Sequence, residues 1–184
     1  IWDKRNSKWI YYNLAKEKEE LGLKTEEDYI ILDNNNSVKE TDLYDILEIV
    51  PSDDFSFSSS GIEIPGKSNI CAEAFQILKN DFEIGNVKIH LHKLIPIGAG
   101  LGGGSADGAF VLKALSTLFD LQLSNTELEK YALQLGADCP FFIENTSKYV
   151  AGIGEKMFAI DLDLSEFELK FIFPDLHIST AEAY

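Results

Sequence analysis

Five of the seven positions from Gly98 to Gly104 are glycine, within the stretch PIGAGLGGGSADGAF that runs from Pro96 to Phe110. Glycine loses more backbone entropy on folding than any other residue, so a cluster this dense needs a physical reason. It is either a flexible linker or a loop whose backbone must come very close to something. The flanking segments decide between the two. Before the loop, NVKIHLHKLI alternates Val87, Ile89 and Leu91 with Lys88, His90 and His92, the pattern of a strand with one buried face in an antiparallel or mixed sheet. After it, SADGAFVLKALSTLFD sets Gly108, Val111, Leu112, Leu115, Leu118 and Phe119 on one helical face. A glycine loop held between a strand and an amphipathic helix, with Leu101 inside it, is no linker. It fits a loop that turns helix N-terminal N–H groups toward an anion, the alternative being a loop whose backbone packs closely against the fold.

Two familiar phosphate loops match only in part. Gly98-x-Gly100-x-x-Gly103 has the spacing of the dinucleotide fingerprint. That fingerprint follows a fully buried parallel strand and needs an acidic residue about 20 positions on, at a strand end. Here the strand alternates, and the position falls on Leu121 to Leu123 at a helix terminus. Gly98-x-x-x-x-Gly103 opens like a P-loop, but Gly104 stands where a Lys is required, with Ser105 after it. Neither match holds, which sets aside a Rossmann-type oxidoreductase.

A chain of 184 residues, 45% hydrophobic, is most simply one domain or one domain with part of another. The net charge of −15 argues against nucleic acid or an anionic membrane surface as partner, while a local pocket of backbone N–H groups and one Lys can still hold a nucleotide. No run is long and apolar enough to span a bilayer and IWDKRNSKW has no signal-peptide core, so the expected compartment is the cytoplasm. Cys71 and Cys139 fit reduced core residues. His90, His92 and His177 make no zinc-ligand spacing with either Cys, so no zinc site is expected.

The remaining elements read as follows. KWIYYNLAKEKEELGL predicts a helix stopped at Gly22, DYIIL a short strand and DNNNS a turn. YDILEIV predicts a strand closed by PSDD, and FSFSSSGIEIPG a strand pair ending in the turn PGKSN. NICAEAFQILKNDF places Ile70, Ala74, Ile77, Leu78 and Phe82 at helical spacing. LSNTELEKYALQLG predicts a second helix, with Ser124 and Glu127 as a capping box and Gly136 at the C′ position. KYVAGIGEKMFAI and FELKFIFPD then read as strands.

These motifs together resemble a known family. PIGAGLGGGSADGA is similar to the ATP-binding motif of the GHMP kinases. The triple glycine before Ser-Ala-Asp, with LGADCPFF and GIGE following at the proper spacing, resembles the branch that phosphorylates 4-diphosphocytidyl-2-C-methyl-D-erythritol in non-mevalonate isoprenoid synthesis. The resemblance runs from about Leu43 to the end and takes in LYDILEIVPSDDFSFSS, PGKSNI and ISTAEAY. It implies an α+β fold, the GHMP kinase N-terminal domain with a mixed sheet and helices, over 41–160. An atypical segment, 1–40, would precede it, and 161–184 would begin a truncated C-terminal domain.

Carried over residue by residue, the resemblance implies that Pro96, Gly98, Ala99, Gly100, Leu101, Gly102, Gly103, Gly104 and Ser105 wrap the phosphates of ATP. Lys93 and Asn69 would lie near the nucleotide, and Ser105 would help hold Mg²⁺. Read from the residues alone, Lys93 could equally be a solvated strand-end Lys, and Asn69 or Ser105 a helix cap. Asp138 is implied as the catalytic base, since phosphoryl transfer asks for one carboxylate to accept the substrate hydroxyl's proton. Asp107, a rival carboxylate, suits a dipole partner in the first helical turn. Thr180 and Tyr184 match positions that contact the cytidine end of the small-molecule substrate. The family's Lys-x-Asn-Leu and Gly-Tyr-His motifs do not occur: Tyr11 stands where that Lys should precede Asn13-Leu14. Two readings therefore stay open, a kinase and a nucleotide-binding fragment or divergent relative without kinase activity.

Overall fold

The computed structural model describes residues 2–3, 8–9, 44–66, 68–98, 100–152 and 156–162. They fall in two compact units, one drawn from residues 1–65 with 85–95, the other from 66–84 with 96–184.

In the first unit β1 (Trp2–Asp3) pairs antiparallel with β2 (Lys8–Trp9). Lys8 and Trp9 were expected to open a helix; they are strand residues, and the rest of that predicted helix, with DYIIL, lies outside the described residues. A three-stranded sheet follows, in the order β3-β5-β4, from β3 (Ile46–Ser52), β4 (Ser56–Gly61) and β5 (Asn86–Lys93). β5 runs antiparallel to β3 and parallel to β4, so the sheet is mixed, as the sequence implied. The alternation of β5 is realised: Val87, Ile89 and Leu91 are buried and Lys88 is exposed.

The expected strand pair in FSFSSSGIEIPG is a single strand. Gly61 takes a left-handed backbone at φ 80°, and a Cβ there would lie 2.3 Å from the Lys93 carbonyl oxygen. Ile62 then donates its N–H to that same carbonyl at 2.9 Å, and the chain leaves the ladder. A backbone reversal of hand at the strand's end leaves no room for a second strand in register.

The second unit is helical with a terminal hairpin. α1 (Ile70–Asp81) starts at an Asn69 cap, whose Oδ1 accepts from the Cys71 N–H at 2.8 Å. It buries Cys71, Ala74, Phe75 and Leu78. α2 (Gly103–Leu118) buries Val111, Leu112 and Leu115 as expected. α3 (Asn125–Leu135) carries the predicted capping box between Ser124 and Glu127. The Ser124 hydrogen bonds hold the Glu127 carboxyl below its usual range. Gly136 closes α3 in an extended conformation, not the left-handed one that a C′ glycine usually serves. α1, α2 and α3 pack on one another, and the one-turn α4 (Phe141–Glu144) packs on α2 and α3. β6 (Lys148–Ala151) and β7 (Lys156–Ala159) form the antiparallel hairpin read from KYVAGIGEKMFAI, whereas FELKFIFPD lies outside the described residues.

Candidate active site

The glycine loop sits where the sequence placed it, between the end of β5 and the start of α2. Gly98, Gly100 and Gly102 all have left-handed backbones, at φ 75°, 72° and 69°. Side-chain-bearing residues adopt that region at a cost of about 1–2 kcal/mol each, which explains glycine at alternate positions. Gly102 has a further constraint: a Cβ there would stand 2.7 Å from Cζ of Phe142.

α2 begins at Gly103 with Gly102 at its N-cap, two residues before the expected start at Ser105. No side chain caps it and its first turn carries no acidic residue. α1 and α3 in the same unit are both capped, by Asn69 and by Ser124 with Glu127. The difference matters, because the first amides of a helix have no intrahelical acceptor and gather the positive end of its dipole. Among the described residues, a Cβ added at Gly98, Gly100 or Gly104 would meet nothing within 4 Å, so none of them crowds this uncapped end. Turn glycines that expose successive N–H groups ahead of a helix start make an anion-binding concavity.

Three contacts dock the LGADCPFF segment and the Ile143 that follows it against α2. Phe142 packs on Gly102. The Lys113 ammonium donates to the Ile143 carbonyl at 2.7 Å while lying over the Phe110 ring, and burial lowers its pKa. Ser105 hydrogen-bonds the Cys139 thiol. Burial pushes that thiol up from its ordinary value; the Ser105 bond opposes the shift and the neighbouring Asp138 charge reinforces it. Cys139 is thus a protonated core thiol, not a nucleophile. Asp138, next to it in the chain, is exposed. One hydroxyl thereby links the start of α2 to the turn that carries the candidate base.

Asp107 is buried and lies beyond the first turn of α2, so it is no partner for the helix end. Asn69 is a helix cap. Lys93, in the first unit, is no solvated strand-end Lys either. It continues the buried face of β5, and its ammonium pairs with Asp45, whose side chain is 5% exposed. Asp45 Oδ1 also accepts from the Leu94 and Ile95 N–H groups at 2.7 and 2.9 Å, fixing the backbone that precedes Pro96 in the chain. Sequence reasoning missed Asp45, whose partner stands 48 residues away with no local pattern to announce it. It also missed Phe142 and Lys113. Ala99, Thr180 and Tyr184 lie outside the described residues.

Comparison with known proteins supports the resemblance. Residues 69–145 match the family described as GHMP kinases N terminal domain. The 4-diphosphocytidyl-2-C-methyl-D-erythritol kinase of Azobacteroides pseudotrichonymphae is 50% identical over 145 residues, covering 78% of this chain and 54% of the relative. The kinase of the same name from Parabacteroides distasonis is 46% identical over 142 residues, covering 76% of this chain and 52% of the relative. A crystal structure of 4-(cytidine 5'-diphospho)-2C-methyl-D-erythritol kinase aligns with a TM-score of 0.56 at 35% identity, over 66% of this chain and 43% of that one. The chain spans about half the length of the curated relatives it matches. The glycine loop, the helix behind it and the LGADCPFF turn all fall inside residues 69–145, the span that matches the N-terminal domain of the GHMP kinases.

Proposed function

We propose that this chain is the ATP-binding part of a small-molecule kinase that transfers the γ-phosphoryl group of ATP to the 2-hydroxyl of 4-diphosphocytidyl-2-C-methyl-D-erythritol, in isoprenoid biosynthesis. The observation that carries the proposal is the uncapped N-terminus of α2 behind three left-handed glycines, with no described residue crowding the positions of Gly98, Gly100 and Gly104. Backbone N–H groups from Gly98 to Ser105 would hold the phosphates, and the helix dipole would stabilise their charge. Asn69 and Lys93 belong to the proposed nucleotide site, Lys93 with its ammonium already committed to Asp45. Ser105 fits a magnesium ligand, since its hydroxyl oxygen is a hard donor with two lone pairs and the contact with the Cys139 thiol leaves at least one of them for a cation. Bound Mg²⁺ would neutralise charge on the terminal phosphates.

Asp138 takes the substrate hydroxyl's proton as the oxygen attacks, and the protein otherwise contributes positioning and charge stabilisation. Thr180 and Tyr184 are the proposed contacts to the cytidine. Residues 41–160 would form the ATP-binding domain and 161–184 would open the second. Among the described residues no helix is long and apolar enough to cross a membrane. Cys71 and Cys139 are buried free thiols, in keeping with a cytoplasmic enzyme.

Gly104→Ala separates binding from folding. Gly104 is a helical residue without positive φ and an added Cβ meets nothing, so the variant should be as stable or several tenths of a kcal/mol more so. The same methyl projects into the space assigned to the phosphates, and ATP affinity should fall about tenfold or more, as when about 1.4 kcal/mol of binding is lost. Unchanged ATP affinity by calorimetry would remove the loop assignment. Single-turnover transfer from γ-labelled ATP with Mg²⁺ to the diphosphocytidyl substrate then tests the reaction itself. Labelled product establishes the kinase; ATP binding without product marks a nucleotide-binding relative.

A further inference from the structure

The polar face of the three-stranded sheet carries an arrangement that the kinase reading does not use. His90 and His92 lie two apart on β5, on the face opposite Val87, Ile89 and Leu91. In register beside them on the parallel strand β4 are Ser58 and Ser60. Ser60 Oγ stands 2.9 Å from His90 Nε2 and 2.9 Å from His92 Nδ1, so two imidazole nitrogens converge on one atom. His90 Nδ1 is held by Ser58 Oγ at 2.8 Å. A hydroxyl has a single proton, so Ser60 can donate to only one of the two nitrogens. The other nitrogen then closes the network only as an N–H donor to Oγ; in the tautomers that leave both nitrogens unprotonated, a cation beside Oγ would take the lone pairs of both.

We propose that His90 and His92 chelate a divalent transition-metal ion of the zinc, nickel or copper class, with Ser60 beside it and Ser58 orienting His90. Three observations support this. Convergent imidazole nitrogens suit this class of ion, whereas Mg²⁺ and Ca²⁺ prefer oxygen ligands. The Ser58 contact is the outer hydrogen bond that fixes the ring of a metal-ligating histidine. The charge on this face also permits a cation. Glu48 of β3 stands in register with His90 and offsets Lys88, two residues before it on β5, and the whole chain carries −15. Among the described residues no group of three or more His, Cys, Asp or Glu is placed to hold a metal. The site is therefore a two-imidazole chelate completed by water, closer to micromolar than to a structural zinc site. The expectation of no zinc site rested on Cys–His spacing, and the pairing of β4 with β5 creates the convergence that spacing could not show.

The test is calorimetric titration of the metal-stripped full chain with Zn²⁺, in the presence of millimolar Mg²⁺. The wild type should bind one Zn²⁺ at this site, with Mg²⁺ failing to compete. His92→Gln keeps a hydrogen-bonding side chain for Ser60 but removes the imidazole, and should weaken Zn²⁺ binding about tenfold or more. Ser58→Ala should weaken it by about 10–100-fold, the usual cost of losing an orienting partner. Circular dichroism of each variant checks that the sheet is intact. Zn²⁺ binding unchanged in a folded His92→Gln, or no saturable Zn²⁺ binding to the wild type, would overturn the proposal.

Discussion

Asp45→Ala is expected to lower the folding stability of this chain by about 3–5 kcal/mol, the cost of breaking a buried ion pair from one side. The side chains of Asp45 and Lys93 are 5% and 4% exposed, so water screens the pair little. Removing the carboxylate takes the counter-charge from the buried Lys93 ammonium and the acceptor from the Leu94 and Ile95 amides together. Either loss alone is unfavourable, since a buried donor without a partner costs about 1–3 kcal/mol. Asp45→Asn separates the two. It keeps an oxygen for the amides while losing the charge, and its cost should fall below that of Ala. Urea denaturation of the three proteins gives the comparison. A loss under about 1 kcal/mol for Asp45→Ala, the range of exposed ion pairs, would mean that the pair is solvated in solution.

The second large effect concerns the reaction. Asp138→Asn should reduce single-turnover phosphoryl transfer by about 10²–10⁴-fold, the usual contribution of a positioned general base. ATP affinity should be untouched, because the proposed phosphate contacts come from the glycine loop and not from the LGADCPFF turn. Asp138 is exposed, so the isosteric amide should also leave the melting temperature where it is. A variant that transfers phosphate at the wild-type rate would end the assignment of Asp138. A variant that loses ATP binding and rate together would indicate a structural role for the turn.

What could be read from the sequence was what depends on neighbours in the chain. The alternation in NVKIHLHK gave the buried face of β5, and the glycine run followed by an apolar stripe gave the loop and α2. Ser124 and Glu127 gave the capping box, because its partners are three residues apart. Contacts made across the chain were not legible. Asp45 meets residues 48 to 50 positions away, Lys113 reaches a carbonyl 30 positions on, and Phe142 explains why Gly102 cannot be alanine. The start of α2 was misplaced by two residues because Ser105 looks like a cap. Its hydroxyl serves Cys139 instead, and Gly102 takes the cap position. Gly136 suits a C′ position by residue type, and it is instead the C-cap of α3, with an extended backbone.

The alternating handedness of the glycine loop has a consequence for selection. Gly98, Gly100 and Gly102 are required by the backbone itself, whatever the loop holds. Gly104 is not: the folded chain would accept a methyl there. A library screened for soluble, folded protein would therefore restrict the first three positions and leave the fourth free. The same library screened for ATP binding would restrict all four. The two requirements, to fold and to act, are written into neighbouring residues of one loop, and the difference between the screens would read them apart.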